Sequence, residues 1–176
     1  MAGPENRVSS SNKGGFMKIR LGLIVLSLCL IGINAQAADD AQLGHWMLDV
    51  AKSQYVTGTA PRSSEVTITP YGKDGVSVTV NTLNIKGERL VFECSAEYDG
   101  KPYPRTETGP GAVTGLSVTF KRVDGQAVER IVYLGAKPVG TERWVISRDG
   151  RTRTVTQSGV DAQGKPINNL LVYVRQ

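Results

Sequence analysis

The chain is poor in the side chains that most chemistry requires. It has one histidine, His45, and two cysteines, Cys29 and Cys94, among 176 residues. A metal centre needs several His, Cys or carboxylate ligands at close spacing, and none accompanies His45. A Ser-His-acid triad would have to run through that same histidine, and no Gly-x-Ser-x-Gly elbow is present. No segment repeats apolar residues at a helical period. That excludes parallel βαβ folds, whose crossovers need about a dozen residues or more, usually helical. Phosphate loops that open a helix go with them. Basic residues neither cluster nor interleave with aromatics, which argues against a nucleic-acid partner. The chain is therefore expected to hold no metal and no cofactor, and it shows no catalytic constellation.

The first 37 residues differ from the rest. Lys18 and Arg20 precede an apolar run, Leu21–Ile33, and Ala35-Gln36-Ala37 fits a small-x-small cleavage site. The run is shorter than the roughly 20 residues of a spanning helix. Met17, directly before the basic pair, is a natural start. Residues 1–37 read as an extension and cleavable signal peptide, and residues 38–176 as the mature domain, periplasmic or secreted, with no stable membrane insertion after cleavage. Leu28, rather than a small residue, precedes Cys29, so a lipid anchor is not expected. Cys94 is then the sole mature cysteine and no internal disulfide can form. Most of the formal charge of +5 belongs to the leader, which holds Arg7, Lys13, Lys18 and Arg20 against Glu5. The mature part is nearly balanced.

What remains is strand and turn. Asp74-Gly75, Lys86-Gly87, Asp99-Gly100, Thr108-Gly109-Pro110-Gly111, Asp124-Gly125, Gly135, Asp149-Gly150 and Gln163-Gly164 punctuate the chain at strand-length intervals. Between them, Glu65–Thr69, Val76–Val80, Leu90–Tyr98 and Leu116–Lys121 alternate apolar and polar residues, the period of a strand with one buried face. Less regular segments rich in Val, Ile, Thr and Tyr fall near 127–134, 141–148, 151–158 and 167–175, with shorter ones near 44–50 and 103–108. Regular spacing of this kind predicts an all-β, antiparallel up-and-down barrel of about eight to ten strands. Closing the sheet removes the exposed edges that an open one would carry.

Gly44-His45-Trp46 opens the first strand and Tyr173-Val174-Arg175 closes the last. This pairing resembles the calycin pattern of lipocalins and fatty-acid-binding proteins. The resemblance implies that Trp46 plugs one barrel end, that Arg175 packs across it, and that Gly44, Trp46 and Arg175 are structural. The stretch Asp161–Pro166 followed by Val172–Gln176 also resembles small exported bacterial proteins loosely called lipocalin-like. Two departures stand out. Fatty-acid-binding proteins insert a helix-turn-helix lid after the first strand, and the segment from Val50 to Arg62 is too short for one. Lipocalins add a helix after the barrel, and this sequence ends on its last strand.

The stripe Leu90, Phe92, Cys94, Ala96 and Tyr98 is expected to face inward with Leu116, Val118 and Phe120, lining a ligand cavity or filling a solid core. Glu93 and Glu97 share the opposite face, roughly 13 Å apart, and read as solvated. Arg130, Arg143, Arg151 and Arg153 are the charges of interest. Arg151 and Arg153 share a face with Val155 and Gln157, and if it points inward both are candidate polar anchors for a ligand carboxylate. The alternate face, Thr152, Thr154 and Thr156, is an equally acceptable interior. The resulting expectation is a carrier of a small apolar or amphipathic ligand. The alternatives are a filled barrel acting as an envelope interaction or stress protein, and an isomerase or cyclase on a calycin scaffold. The oligomeric state is left open.

Overall fold

In the computed structural model, residues 40–56, 58–160 and 164–176 are described. The proposed leader, with Met17 and Cys29, lies outside them, as do Asp161, Ala162 and Gln163. The strands are β1 (Gly44–Leu48), β2 (Gln54–Tyr55), β3 (Ser63–Tyr71), β4 (Gly75–Leu83), β5 (Arg89–Glu97), β6 (Tyr103–Thr108), β7 (Leu116–Arg122), β8 (Ala127–Leu134), β9 (Lys137–Ile146), β10 (Thr152–Val160) and β11 (Pro166–Arg175). No helix occurs among the described residues.

Each strand from β3 to β11 pairs antiparallel with the next, and β1 pairs with both β3 and β11. The result is a closed up-and-down barrel of ten strands, as the turn spacing predicts. The short β2 lies along the same edge of β11 as β1, further up the strand, with Gln54 opposite Leu170. Two strand boundaries differ from the sequence reading. β9 starts at Lys137, directly after the Gly135 turn, and β10 starts at Thr152, because Arg151 is still held in the turn by its backbone N–H to Asp149.

Alternation sets the inside. Val66, Ile68, Val76, Val78, Cys94, Ala96, Val118 and Phe120 are buried, and their chain neighbours face out or lie between. Among the described residues the hydrophobic core is built from residues between Ala41 and Tyr173.

Ring closure has its own chemistry. Trp46 stands opposite Arg175, whose guanidinium lies 4.2 Å from the indole centroid. That guanidinium donates to the carbonyls of Gly150 (2.7 Å), Leu43 (2.6 Å) and Ala41 (2.9 Å). The Trp46 indole N–H donates to the Gln42 carbonyl at 3.1 Å. Gly44 is required here for two reasons: its φ is +126°, and a Cβ would sit 2.6 Å from Arg175 Nη1. Segment 40–43 thereby closes one end of the barrel. Gln42 is buried and donates to the Gln126 carbonyl, while Asp40 takes the Tyr98 hydroxyl at 2.6 Å and Arg122 at 3.2 Å. Burial and the Asp40 carboxylate push the Tyr98 hydroxyl well above its ordinary pKa.

Candidate functional site

The barrel is packed in its closed half and hollow in the other. The packed half ends in an aromatic floor. Tyr98 meets Phe120 edge-on at 6.3 Å between centroids, and Phe120 meets Trp144 in the same way at 5.2 Å. Above the floor a cavity of about 660 Å³ opens towards the far end. Val80, Leu90, Phe92, Val113, Val132 and Leu171 supply much of its apolar wall.

Between floor and cavity lies a belt of polar side chains carried by neighbouring strands. Arg130 on β8 stands opposite Glu142 on β9, which stands opposite Gln157 on β10, which stands opposite Asn169 on β11. The Glu142 carboxylate accepts from Arg130 at 2.5 Å, the Trp144 indole at 2.8 Å and Gln157 at 3.0 Å. Burial pushes the Glu142 carboxyl upward. The Arg130 charge and the donated hydrogen bonds outweigh burial and hold it at about 2. Glu142 is therefore ionised and internally neutralised by Arg130. On β6, Arg105 pairs with Glu107 at 2.5 Å and stacks on Phe92 at 4.4 Å. The second Glu107 oxygen accepts the Val113 backbone N–H at 3.0 Å, tying the loop between β6 and β7 to the belt.

Arg153 is different. It is 2 % exposed, and no carboxylate lies within ion-pair distance among the described residues. Its guanidinium stacks on Trp144 at 4.0 Å and lies 5.7 Å from the Tyr173 ring. Its Nε and Nη1 have no hydrogen-bond acceptor. Burial pulls its pKa down, to about 10, which leaves it charged at neutral pH. The belt thus holds three buried or nearly buried arginines against two carboxylates, with the uncompensated charge on Arg153 beside the cavity. The Nε atoms of Arg105 and Arg130 also lack acceptors.

The residues expected to line a cavity divide between the two halves. Leu90, Phe92 and Leu116 line it. Cys94, Ala96, Tyr98, Val118 and Phe120 face the same interior lower down, in the packed half, and are absent from the cavity wall. A strand spans the full height of the barrel, so one inward stripe crosses both halves. Burial pushes the Cys94 thiol up in pKa, and the guanidiniums of Arg130 and Arg105 oppose that push only in part. Of the two candidate anchors, Arg153 faces the cavity and Arg151 does not. Arg151 is exposed in the turn before β10, so the two do not share an inward face. The interior face of β10 is Arg153, Val155 and Gln157, and Thr156 on the other face is exposed. Arg105, Glu107 and Glu142 join the site without having been singled out from the sequence, and Tyr173 was noted there only as part of the closing strand. His45 is exposed, with Nδ1 at 3.1 Å from the Thr67 hydroxyl.

A scan against family models finds no match, and a comparison with curated proteins also finds none. Among solved structures, a point mutant of the fluorescent protein UnaG superposes with a TM-score of 0.51 at 11 % identity, covering 77 % of this chain and 96 % of that one. The likeness is one of fold, a calycin-like closed antiparallel barrel. A protein of M. tuberculosis, Rv2717c, matches at a TM-score of 0.46 and 16 % identity over 77 % of this chain and 93 % of that one. At these identities the likeness concerns architecture alone. Among the described residues no helix lies between β1 and β3, where turns and the short β2 occur.

Proposed function

We propose that this protein binds, without covalent chemistry, a small amphipathic molecule with one acidic head group and an apolar body. The observation that carries this reading is Arg153, a buried cation with two unsatisfied donors at the base of a mainly apolar cavity. A buried guanidinium without a counter-ion is costly, and a planar bidentate anion is the group it fits best. The head would sit low, on the Arg153 side of the belt, and the body would fill the space between Val80, Leu90, Phe92 and Leu171. Affinity would come mainly from desolvating apolar surface, with the single charge fixing orientation. The ring Arg130–Glu142–Gln157 holds the floor rigid and keeps Arg130 occupied, so that one charge, not two, is offered to the ligand. On this reading residues 1–37 are a leader, and the barrel from residue 38 works in the periplasm or outside the cell.

The test is a titration with anilinonaphthalene sulfonate, a fluorescent amphipathic monoanion, followed by displacement with saturated carboxylic acids of increasing chain length and with the corresponding alcohols. Acids should displace the probe better than alcohols of equal length. Native mass spectrometry of protein purified from its own cell envelope should retain an acidic apolar molecule. Equal displacement by acids and alcohols, with no retained molecule, would overturn the reading.

A further inference from the structure

We propose that the open rim of the barrel is a docking surface for an anionic lipid bilayer. The cavity opens among Thr59, Pro61, Asn84, Gly111, Leu134 and Val160. Around that opening, four large apolar side chains on four separate connections stand in solvent. Val56 is 69 % exposed between β1 and β3, Ile85 is 55 % exposed between β4 and β5, and Leu134 and Val160, at the ends of β8 and β10, are 46 % and 38 % exposed. Leu134 and Val160 also line the cavity, so the apolar rim and the apolar interior are continuous. Of the seven large apolar side chains exposed among the described residues these four stand at the rim, with Tyr71, Val123 and Val145 elsewhere, and groups gathered round an aperture mark a contact surface more than scattered ones do.

The exposed charge at the same end is mostly basic. Arg62, Lys86, Arg89 and Lys137 are exposed there, and none has a carboxylate within ion-pair distance among the described residues. Asp49 is paired with Lys52 at 3.0 Å, and Glu65 and Glu88 are the exposed acids nearby, the latter accepting from the Asn84 amide at 2.7 Å, so among these described residues four bases stand against two acids. The closed end is mixed, with Asp74, Glu97, Asp99, Asp124 and Asp149 set among Lys73, Lys101, Arg122, Arg148 and Arg151.

The form of the rim selects the partner. Its apolar groups are single side chains on separate turn tips around a hole, with polar backbone between them. A protein partner would need a contiguous complementary face of about 800 Å² on each side. The soft interfacial zone of a bilayer takes isolated apolar tips while its anionic head groups meet the bases between them. Docked in this way, the aperture faces lipid and an apolar ligand passes between bilayer and cavity without crossing water. The surface goes beyond the ligand reading and is tested separately from it.

The test uses residues 38–176, once cooperative urea unfolding has shown that they fold on their own, in flotation with phosphatidylcholine vesicles made with and without phosphatidylglycerol. Binding should require phosphatidylglycerol and weaken as salt rises. Each basic side chain is worth roughly fivefold in partition near an anionic surface, so Lys86→Glu with Lys137→Glu should lower binding by at least about 25-fold. Val56→Glu with Ile85→Glu should lower it by at least about tenfold. Neither pair lines the cavity, so fluorescent-probe binding measured without vesicles should not change. Absence of vesicle binding by the parent barrel overturns the proposal, as does equal binding to both vesicle types. So does a concentration-dependent dimer, dispersed by Val56→Glu with Ile85→Glu, in place of vesicle binding. A barrel that takes the probe but ignores vesicles loses the docking surface alone. One that binds vesicles but not the probe loses the ligand reading alone.

Discussion

Arg153 and Arg130 lie in one belt of one barrel, and replacing each by Met should have opposite effects on stability. Arg153 leaves two buried donors unpaired, Nε and Nη1. Each such donor costs about 1–3 kcal/mol. Its stacking on Trp144 at 4.0 Å and its approach to Tyr173 return about 1–2 kcal/mol. Methionine keeps an unbranched apolar stem in the same channel and removes the charge. Arg153→Met should therefore stabilise the ligand-free barrel by about 2 kcal/mol, a rise of roughly 5–10 °C in thermal midpoint for a chain of this size. Arg130→Met strands Glu142, whose carboxylate loses its cation while staying buried, and breaking such a pair costs about 3–5 kcal/mol.

Binding separates the two variants again. Arg153→Met should weaken an anionic probe roughly 10- to 100-fold, the worth of a charge-assisted hydrogen bond, and leave a neutral analogue almost unaffected. The assay is a thermal melt and a fluorescence titration on the same preparations. A residue whose removal raises stability and lowers affinity is kept for its ligand. A lower midpoint in Arg153→Met together with unchanged probe affinity would refute the reasoning, since the guanidinium would then be satisfied within the fold.

Two further outcomes follow from the geometry. Trp46→Ala removes a side chain that is 1 % exposed, bonded to Gln42 and covered by Arg175. It should cost about 3–5 kcal/mol in urea unfolding, and a change near zero would show that the indole does not plug the barrel. Stability should also fall in acid. The Glu142 carboxyl is held at about 2 in the fold, below its unfolded value, so its contribution is complete above the unfolded pKa. That contribution is lost as pH falls through the range between the two. The urea midpoint should drop from pH 6 towards pH 2, and Glu142→Gln should flatten the part of that slope due to this group; an unchanged slope in the variant would remove Glu142 as its source.

Strand order was legible because it rests on local rules, and closure because the Gly44-His45-Trp46 and Arg175 ends resemble the calycin pattern and an open sheet would expose its edges. Turn residues at strand-length intervals impose hairpins, and alternation in Val76–Val80 or Leu116–Phe120 assigns the inner face without knowledge of the partner strand. The site was legible only in part. On β6 the inward face is Tyr103, Arg105 and Glu107, at least as polar as the outward Pro104, Thr106 and Thr108, so alternation gives no direction there. On β9 the inward Glu142 sits between Gly140 and Trp144 and reads as an irregularity, and the register slips by one residue at Val132 and Tyr133. On β10 two faces were equally acceptable by composition. Orientation came from β9 and β11, which set Arg153 opposite Ile146 and Tyr173 and carry the whole strand with them. The fate of Arg151 follows from the same fact one residue earlier: the strand has not yet begun, so the period that carries Arg153 inward does not apply to it.

The positions where periodicity failed are also the positions that hold the belt. An interior made only of the residues alternation favours would be apolar throughout and would specify a barrel without any preferred ligand. Arg105, Arg130, Glu142, Arg153 and Gln157 interrupt that pattern on β6, β8, β9 and β10, and all five line the cavity. Four of them neutralise or bond one another or a close neighbour: Arg105 with Glu107, Arg130 with Glu142, and Gln157 with Glu142. A set of this kind built for stability would finish the job, because a partly satisfied buried network is worse than an apolar one. It stops one counter-charge short, at the residue that faces the empty space. Local rules of folding are broken consistently only where something other than folding constrains the sequence. On the proposed reading the missing partner is an anion, and the space left for the rest of it is mainly apolar.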